Sequence, residues 1–152
     1  MRRVHGVDHV GHLARRFAGS LSQRPPAPAD EAWAEGWLGD AERTLWRRLS
    51  NVDRRHAIEV ARRFASLRPE ASRAEMAGAV LHDVGKLEAG LGTLGRVVAT
   101  VVGPQTPRFR SYRDHEEIGA DRLEQGGADP ITVALVRRTG PAAPDLEAAD
   151  DI

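Results

Sequence analysis

The chain has 152 residues, with 22 basic side chains balanced by 22 acidic ones and no cysteine. That length allows one compact domain, or one domain carrying a helical extension, but not two full cores. The lack of cysteine excludes a disulfide framework, a thiolate metal site and a thiol nucleophile, and the balanced charge argues against a nucleic-acid partner.

The first helix pattern runs from about Val7 to Leu21, with Val10, Leu13, Phe17 and Leu21 spaced three and four apart. The prolines at 25, 26 and 28 end it. Asp30 reads as the N-cap of a helix over Glu31–Leu38, and Asp40 as the cap of another carrying Leu45, Trp46 and Leu49. Trp33 and Trp37, four residues apart, either dock these N-terminal helices on a core or present an exposed surface to a partner, and docking is the expected role. Ser50 or Asn51 caps a helix from Val52 to Leu67, with Ile58, Ala61, Phe64 and Ala65 on its apolar face and Arg54, Arg55, Arg62 and Arg63 on its wet one. Arg68-Pro69 closes it.

Ser72, with Glu75 three positions on, forms a capping box for a helix predicted over Arg73–Lys86. Its stretch Met76-Ala77-Gly78-Ala79-Val80-Leu81 is apolar on nearly every side, as a central buried helix is. Arg96–Val102 is β-branched but has no partner run to pair with, so it is assigned to a helix. Ser111 or Tyr112 opens a helix that ends at Gly126-Gly127. Asp129 caps one beginning at Pro130 and carrying Ile131, Val133, Leu135 and Val136. Gly140-Pro141 stops it, and a last helix spans about Pro144 to Asp151. The chain reads as all-α. No apolar run approaches the roughly 18 residues of a membrane span and no charged-then-apolar leader opens the chain, so a soluble, cytoplasmic protein is expected.

His82-Asp83 falls at the end of the most apolar helix. Burying an imidazole and a carboxylate there is costly unless something pairs with them. A divalent metal is the simplest partner, since it takes a neutral histidine and an ionised aspartate together. Neighbouring helical side chains diverge by about 100°, which lets both reach one ion in a cleft. The alternative is a helix end that reaches solvent, with both side chains wet.

The surroundings of this pair carry a resemblance. His82-Asp83-Val84-Gly85-Lys86 resembles the signature of the HD-domain metal-dependent phosphohydrolases, a His-Asp doublet followed by a hydrophobic residue, a glycine and often a lysine. Asp53-Arg54-Arg55-His56 is similar to the stretch that carries the family's first metal histidine. His115-Glu116-Glu117-Ile118-Gly119-Ala120 is similar to its H-x-E-x-G-A segment, and Leu146-Glu147-Ala148-Ala149-Asp150 to its closing L-x-A-A-D. These four stations stand in the family's order across roughly residues 44–152. The resemblance implies an HD-type helical bundle over 44–152, preceded by an N-terminal helical extension over 1–43.

It also implies that His56, His82, Asp83 and Asp150 ligate one divalent metal, with Asp151 competing with Asp150 for the fourth place. A ligand in a terminal turn, where helices fray, requires that turn to be ordered. Two histidines and two carboxylates suit Mn²⁺, Fe²⁺, Co²⁺ or Mg²⁺. The function implied is hydrolysis of a nucleotide or similar small phosphate ester. Asp83 would bind the ion and accept a proton from water, and His115 would contact substrate or support the ligands. Ligation needs neutral imidazoles, so activity is expected to fall with pH through the ordinary histidine range.

The sequence departs from the family where a second metal would be completed. The usual further histidine near Arg137-Arg138-Thr139 is missing, the stretch from Gly140 to Leu146 is short, and there is no Gly-Tyr-Pro extension of the cyclic-dinucleotide phosphodiesterases. Two other readings follow: a non-catalytic HD module that binds a nucleotide or partner, and an HD-type di-iron oxygenase, which needs two irons.

Lys86 also stands out on its own account. It is the only lysine among 22 cations, set four residues after His82, where a compact ammonium can meet a phosphate oxygen. Arg137 and Arg138 either reach substrate phosphate or form a solvated helix face. The run Gly90-Leu91-Gly92-Thr93-Leu94-Gly95 matches G-x-G-x-x-G, but a helix precedes it where the dinucleotide fingerprint needs a strand, so it reads as a turn. His5, Asp8, His9 and His12 recur at helical spacing and either chelate a metal adventitiously or line an exposed helix.

Overall fold

A computed structural model describes residues 22–89 and 115–151, and all its regular elements among those residues are α-helices. They are α1 (Pro28–Glu35), α2 (Asp40–Arg48), α3 (Asn51–Leu67), α4 (Arg73–Val80), the short α5 (Lys86–Ala89), α6 (His115–Gln125), α7 (Pro130–Val136) and α8 (Ala143–Asp150). The all-α expectation therefore holds over these residues. The helices expected over Val7–Leu21 and Arg96–Val102, the glycine run from Gly90, the His5, Asp8, His9 and His12 group, and the start at Ser111 or Tyr112 of the helix described as α6 lie outside the described residues. No helix among the described residues is long and apolar enough to cross a membrane.

Local chemistry explains most of the helix boundaries, with some corrections. The Ser50 hydroxyl accepts from the Asp53 N–H at 3.1 Å and so caps α3. Ser72 and Glu75 form the expected reciprocal box on α4, at 3.2 and 2.8 Å. Asp129 accepts from the Ile131 N–H at 2.8 Å to open α7 behind Pro130. Asp30 is not a cap. Pro28 supplies the first-turn geometry of α1, and Asp30 inside that turn instead pairs with Arg62 at 2.6 Å. Likewise Asp40 is the first residue of α2 and Gly39 its cap, whose N–H donates to Glu42 at 2.8 Å.

The largest correction concerns α4, which stops at Val80 rather than running to Lys86. Leu81 adopts φ −99° and ψ 7°, and the next bonds span three residues instead of four, from Val84 to Leu81, Lys86 to Asp83 and Leu87 to Val84. His82 and Asp83 therefore sit on a tight turn between α4 and α5. The cause is a close backbone crossing with α6. A Cβ on Gly85 would fall 1.6 Å from the His115 carbonyl oxygen, and one on Gly119 would fall 2.8 Å from the Gly85 nitrogen. Only glycine at both places lets the turn lie against α6.

Two helices organise the core. α3 packs against α4 and α8, and α4 also packs against α7, which lies on α6. Met76–Val80 of α4 are all buried because the helix has a neighbour on both sides: Gly78 leaves room for the Leu135 side chain, and Thr132 donates to the Ala74 carbonyl at 2.7 Å. Trp46, Phe64, Leu38, Met76, Leu81, Leu123, Leu135 and Leu146 are fully buried. α1 covers Arg54 and Arg62 of α3, so the arginine face is not simply wet. Arg54 bridges Glu31 at 2.8 Å and Asn51 at 2.6 Å, and Arg62 lies 4.4 Å over the Trp33 ring. Trp33 and Trp37 meet edge to face at 6.2 Å and pack on the core, as their spacing suggested.

Candidate metal centre

The turn between α4 and α5 faces the first half of α3, the start of α6 and the last turn of α8. His56 comes from α3, His82 and Asp83 from the turn, His115 from α6 and Asp150 from α8. Residues up to 94 positions apart are thereby drawn into one cluster.

His82 is fully buried and Asp83 is 3% exposed, which removes the reading of a wet helix end. Nδ1 of His82 lies 2.8 Å from the Ala79 carbonyl oxygen, and an N–H there donates to it. That bond fixes the ring and leaves Nε2 aimed into the cluster, 3.4 Å from Asp83 Oδ2 and 3.6 Å from Asp150 Oδ1. Both separations exceed a normal hydrogen bond, and this buried nitrogen has no hydrogen-bond partner. Across the cluster, His56 Nε2 lies 3.1 Å from Asp150 Oδ1 and 3.9 Å from Asp83 Oδ2, with the two imidazole centroids 5.7 Å apart.

Three of these residues, His56, His82 and Asp83, form a group that could hold a metal ion. Ligand atoms about 2.1 Å from one ion stand roughly 3.0–3.4 Å from their neighbours, close to the 3.1–3.9 Å found between these nitrogens and oxygens. Nitrogen and oxygen donors of His56, His82 and Asp83 all lie within 4.8 Å of one another and can hold a metal ion. Asp150 stands against both rings, whereas Asp151 follows α8 and is exposed. A nitrogen buried without a hydrogen-bond partner costs about 1–3 kcal/mol, and a cation is one way of meeting it.

Without a metal, the imidazoles and carboxylates of the cluster shift one another strongly. Burial alone pushes the His82 imidazole down, but the carboxylates of Asp83 and Asp150 outweigh it and raise its pKa to about 9. Burial pushes Asp83 up, yet His82, Lys86 and His115 hold it well below the usual carboxylate range. Asp150 is likewise held well below that range, with His56 and His82 outweighing its desolvation. In the metal-free protein His82 thus keeps its proton beyond the ordinary histidine range, and the pH window expected from unperturbed imidazoles moves upward.

The other sequence-predicted residues divide into two groups. Lys86 is at the cluster, but its ammonium is bonded to Asp83 Oδ2 three residues back rather than aligned with His82. His115 Nε2 lies 3.2 Å from the other oxygen, Asp83 Oδ1. Arg138 donates to Asp150 Oδ2 at 2.6 Å. Arg137 is not brought in: it pairs with Glu117, Asp121 and Glu124 of α6, at 3.1, 2.5 and 3.4 Å. Glu116, which sequence reasoning did not single out, lies 3.4 Å from Arg138 Nε. Its place next to His115 on a helix start is the one signal that pointed there.

Comparison with protein-family models, curated proteins and solved structures finds no match for this chain.

Proposed function

We propose that the chain is a metal-dependent phosphohydrolase of the HD type, acting on a nucleotide or similar small phosphate ester. The observation that carries this reading is the buried Nε2 of His82, without a hydrogen-bond partner and flanked by two carboxylates and a second imidazole. His56, His82, Asp83 and Asp150 would hold the ion, and its identity falls among Mn²⁺, Fe²⁺, Co²⁺ and Mg²⁺ on donor chemistry. Once bound, such an ion polarises a phosphoryl oxygen and acidifies an attacking water.

The chain's own residues do the rest. Asp83 has both oxygens engaged, one toward the histidines and Lys86 and one toward His115, so its carboxylate is fixed in orientation as a ligand, and its depressed pKa makes it a poor acceptor for a proton from water. Lys86 and His115 each lie on Asp83 at the partly open side of the cluster, with 12% and 14% of their side chains exposed. From there both are placed to meet the charge that develops on a phosphoryl group.

A second reading has one observation in its favour. The cations nearest the cluster, Lys86 and Arg138, are bonded to its carboxylates rather than directed away from them. A module that binds a nucleotide or partner without turnover needs no more than that. Phosphate release from a set of nucleotides, measured with Mn²⁺ for the wild type and Asp83→Ala, separates the two. Release by the wild type that Asp83→Ala abolishes supports hydrolysis. Saturable binding without release selects the binding module, and neither result with any nucleotide defeats both.

A further inference from the structure

α6 and α7 end in the same hydrogen-bonded turn. In α6 the N–H groups of Gly127 and Ala128 bond the carbonyls of Glu124 and Leu123, and in α7 those of Arg138 and Thr139 bond the carbonyls of Leu135 and Ala134. Both are Schellman motifs, whose left-handed residue is usually glycine. α6 follows that rule with Gly127 at φ 77°, whereas α7 places Arg138 there at φ 59°. Among the described residues Arg138 is the one non-glycine with a positive φ. A side chain kept where the backbone favours none supplies something that glycine cannot.

The geometry points to Arg138 as a positioning residue for the metal centre: its guanidinium holds the Asp150 carboxylate with Oδ1 turned to the two histidines. This inference rests on the reading that the cluster binds a divalent ion. Arg138 Nη2 takes Asp150 Oδ2 at 2.6 Å, which leaves Oδ1 facing His56 at 3.1 Å and His82 at 3.6 Å. The far side of the guanidinium meets Glu116 Oε1 at 3.4 Å, and the Arg138 side chain is 17% exposed. Glu116 offsets the charge that Arg138 would otherwise set against a cation, so orientation of Asp150 is the net effect. Arg138 also ties the last turn of α8, where helices fray, to α6. Arg63, whose guanidinium reaches the Ala149 carbonyl at 3.4 Å, assists from α3.

The test compares Co²⁺ affinity and the Co²⁺ absorption spectrum with the melting temperature of the metal-free protein, for the wild type, Arg138→Gly and Arg138→Lys. Glycine removes the backbone strain, so metal-free Arg138→Gly is expected to melt no lower than the wild type. Its Co²⁺ affinity is expected to fall about tenfold or more, the usual effect of losing a partner that orients a ligand, with an altered spectrum. Arg138→Lys, which keeps the charge, is expected to recover part of that loss. Wild-type affinity and spectrum in Arg138→Gly overturn the inference. So does a metal-free Arg138→Gly that melts lower or fails to fold, since Arg138 is then a structural brace. A wild type that takes up no Co²⁺ defeats the metal reading itself, and this inference with it.

Discussion

Charged side chains live under two regimes in this molecule. On its outer faces arginines pair with acids in the open: Arg47 forks onto Glu35 with two bonds of 2.8 Å, and Arg137 gathers Glu117, Asp121 and Glu124. Water screens these pairs, and their net effect on stability is small. Between α3, the turn at 81–85 and α8, by contrast, an imidazole and a carboxylate are removed from water altogether. There the direct contacts leave His82 Nε2 without a hydrogen bond, although every other element around it is tightly packed. The difference teaches where to look for chemistry: an open ion pair is complete as it stands, whereas the buried cluster gathers nitrogen and oxygen donors that could hold a metal ion.

Three changes sharpen that contrast, in decreasing size. Gly85→Ala attacks the crossing that creates the cluster. Its Cβ would fall within 1.6 Å of the His115 carbonyl oxygen, so the turn and α6 must separate. A loss of about 3 kcal/mol or more in urea unfolding is expected, together with loss of metal binding, because overpacking without room to relax is costly. A wild-type unfolding curve would show that the turn does not lie on α6.

The second change is pH, applied to the metal-free protein. The folded pKa of His82, about 9, lies above its ordinary value of 6.5. Its contribution to stability is therefore fully present below 6.5 and is lost as pH rises through about 9. Asp83 and Asp150 are shifted down, so theirs is present above the ordinary carboxylate range and is lost as pH falls through the depressed values. Urea midpoints are expected to fall between pH 6.5 and 9.5, and His82→Asn should flatten that limb. A wild-type midpoint that stays level across this range would remove the coupling of His82 to its carboxylates.

The smallest effect belongs to the open regime. Arg47→Ala breaks two good bonds to Glu35, yet its melting temperature should stay within about 1 °C of the wild type, because many exposed pairs contribute nothing measurable. A clear drop would mean that the outer ion pairs carry more of the fold than their exposure allows.

How far the sequence discloses this arrangement depends on the physical scale of each feature. Caps that reach two or three positions along the chain, Ser50, Ser72 and Asp129, are legible because donor and acceptor are near neighbours in sequence. The all-round apolar stretch 76–81 shows a central helix for the same local reason. The end of α4 is not legible. Its helix-compatible residues continue to Lys86, and only the approach of α6 at Gly85 and Gly119, 34 positions apart, interrupts them. Asp30 and Asp40 mislead because Pro28 and Gly39 set those helix starts first. His56, His82, Asp83 and Asp150 were named from a resemblance, and the structure places them side by side. The strained backbone at Arg138 and its grip on Asp150 are three-dimensional facts that no pattern of residue types announces.

The claim on which the rest depends is that His56, His82, Asp83 and Asp150 hold one divalent ion. Equilibrium titration of the metal-free chain with Mn²⁺, for the wild type and His82→Ala, tests it most directly, with circular dichroism run beside it. Uptake of one ion per wild-type chain is expected, with proton release at pH 7.5 as the His82 ring is deprotonated, and His82→Ala should keep its helicity and lose that uptake. Equal binding by the two proteins, or none by the wild type, would contradict the account.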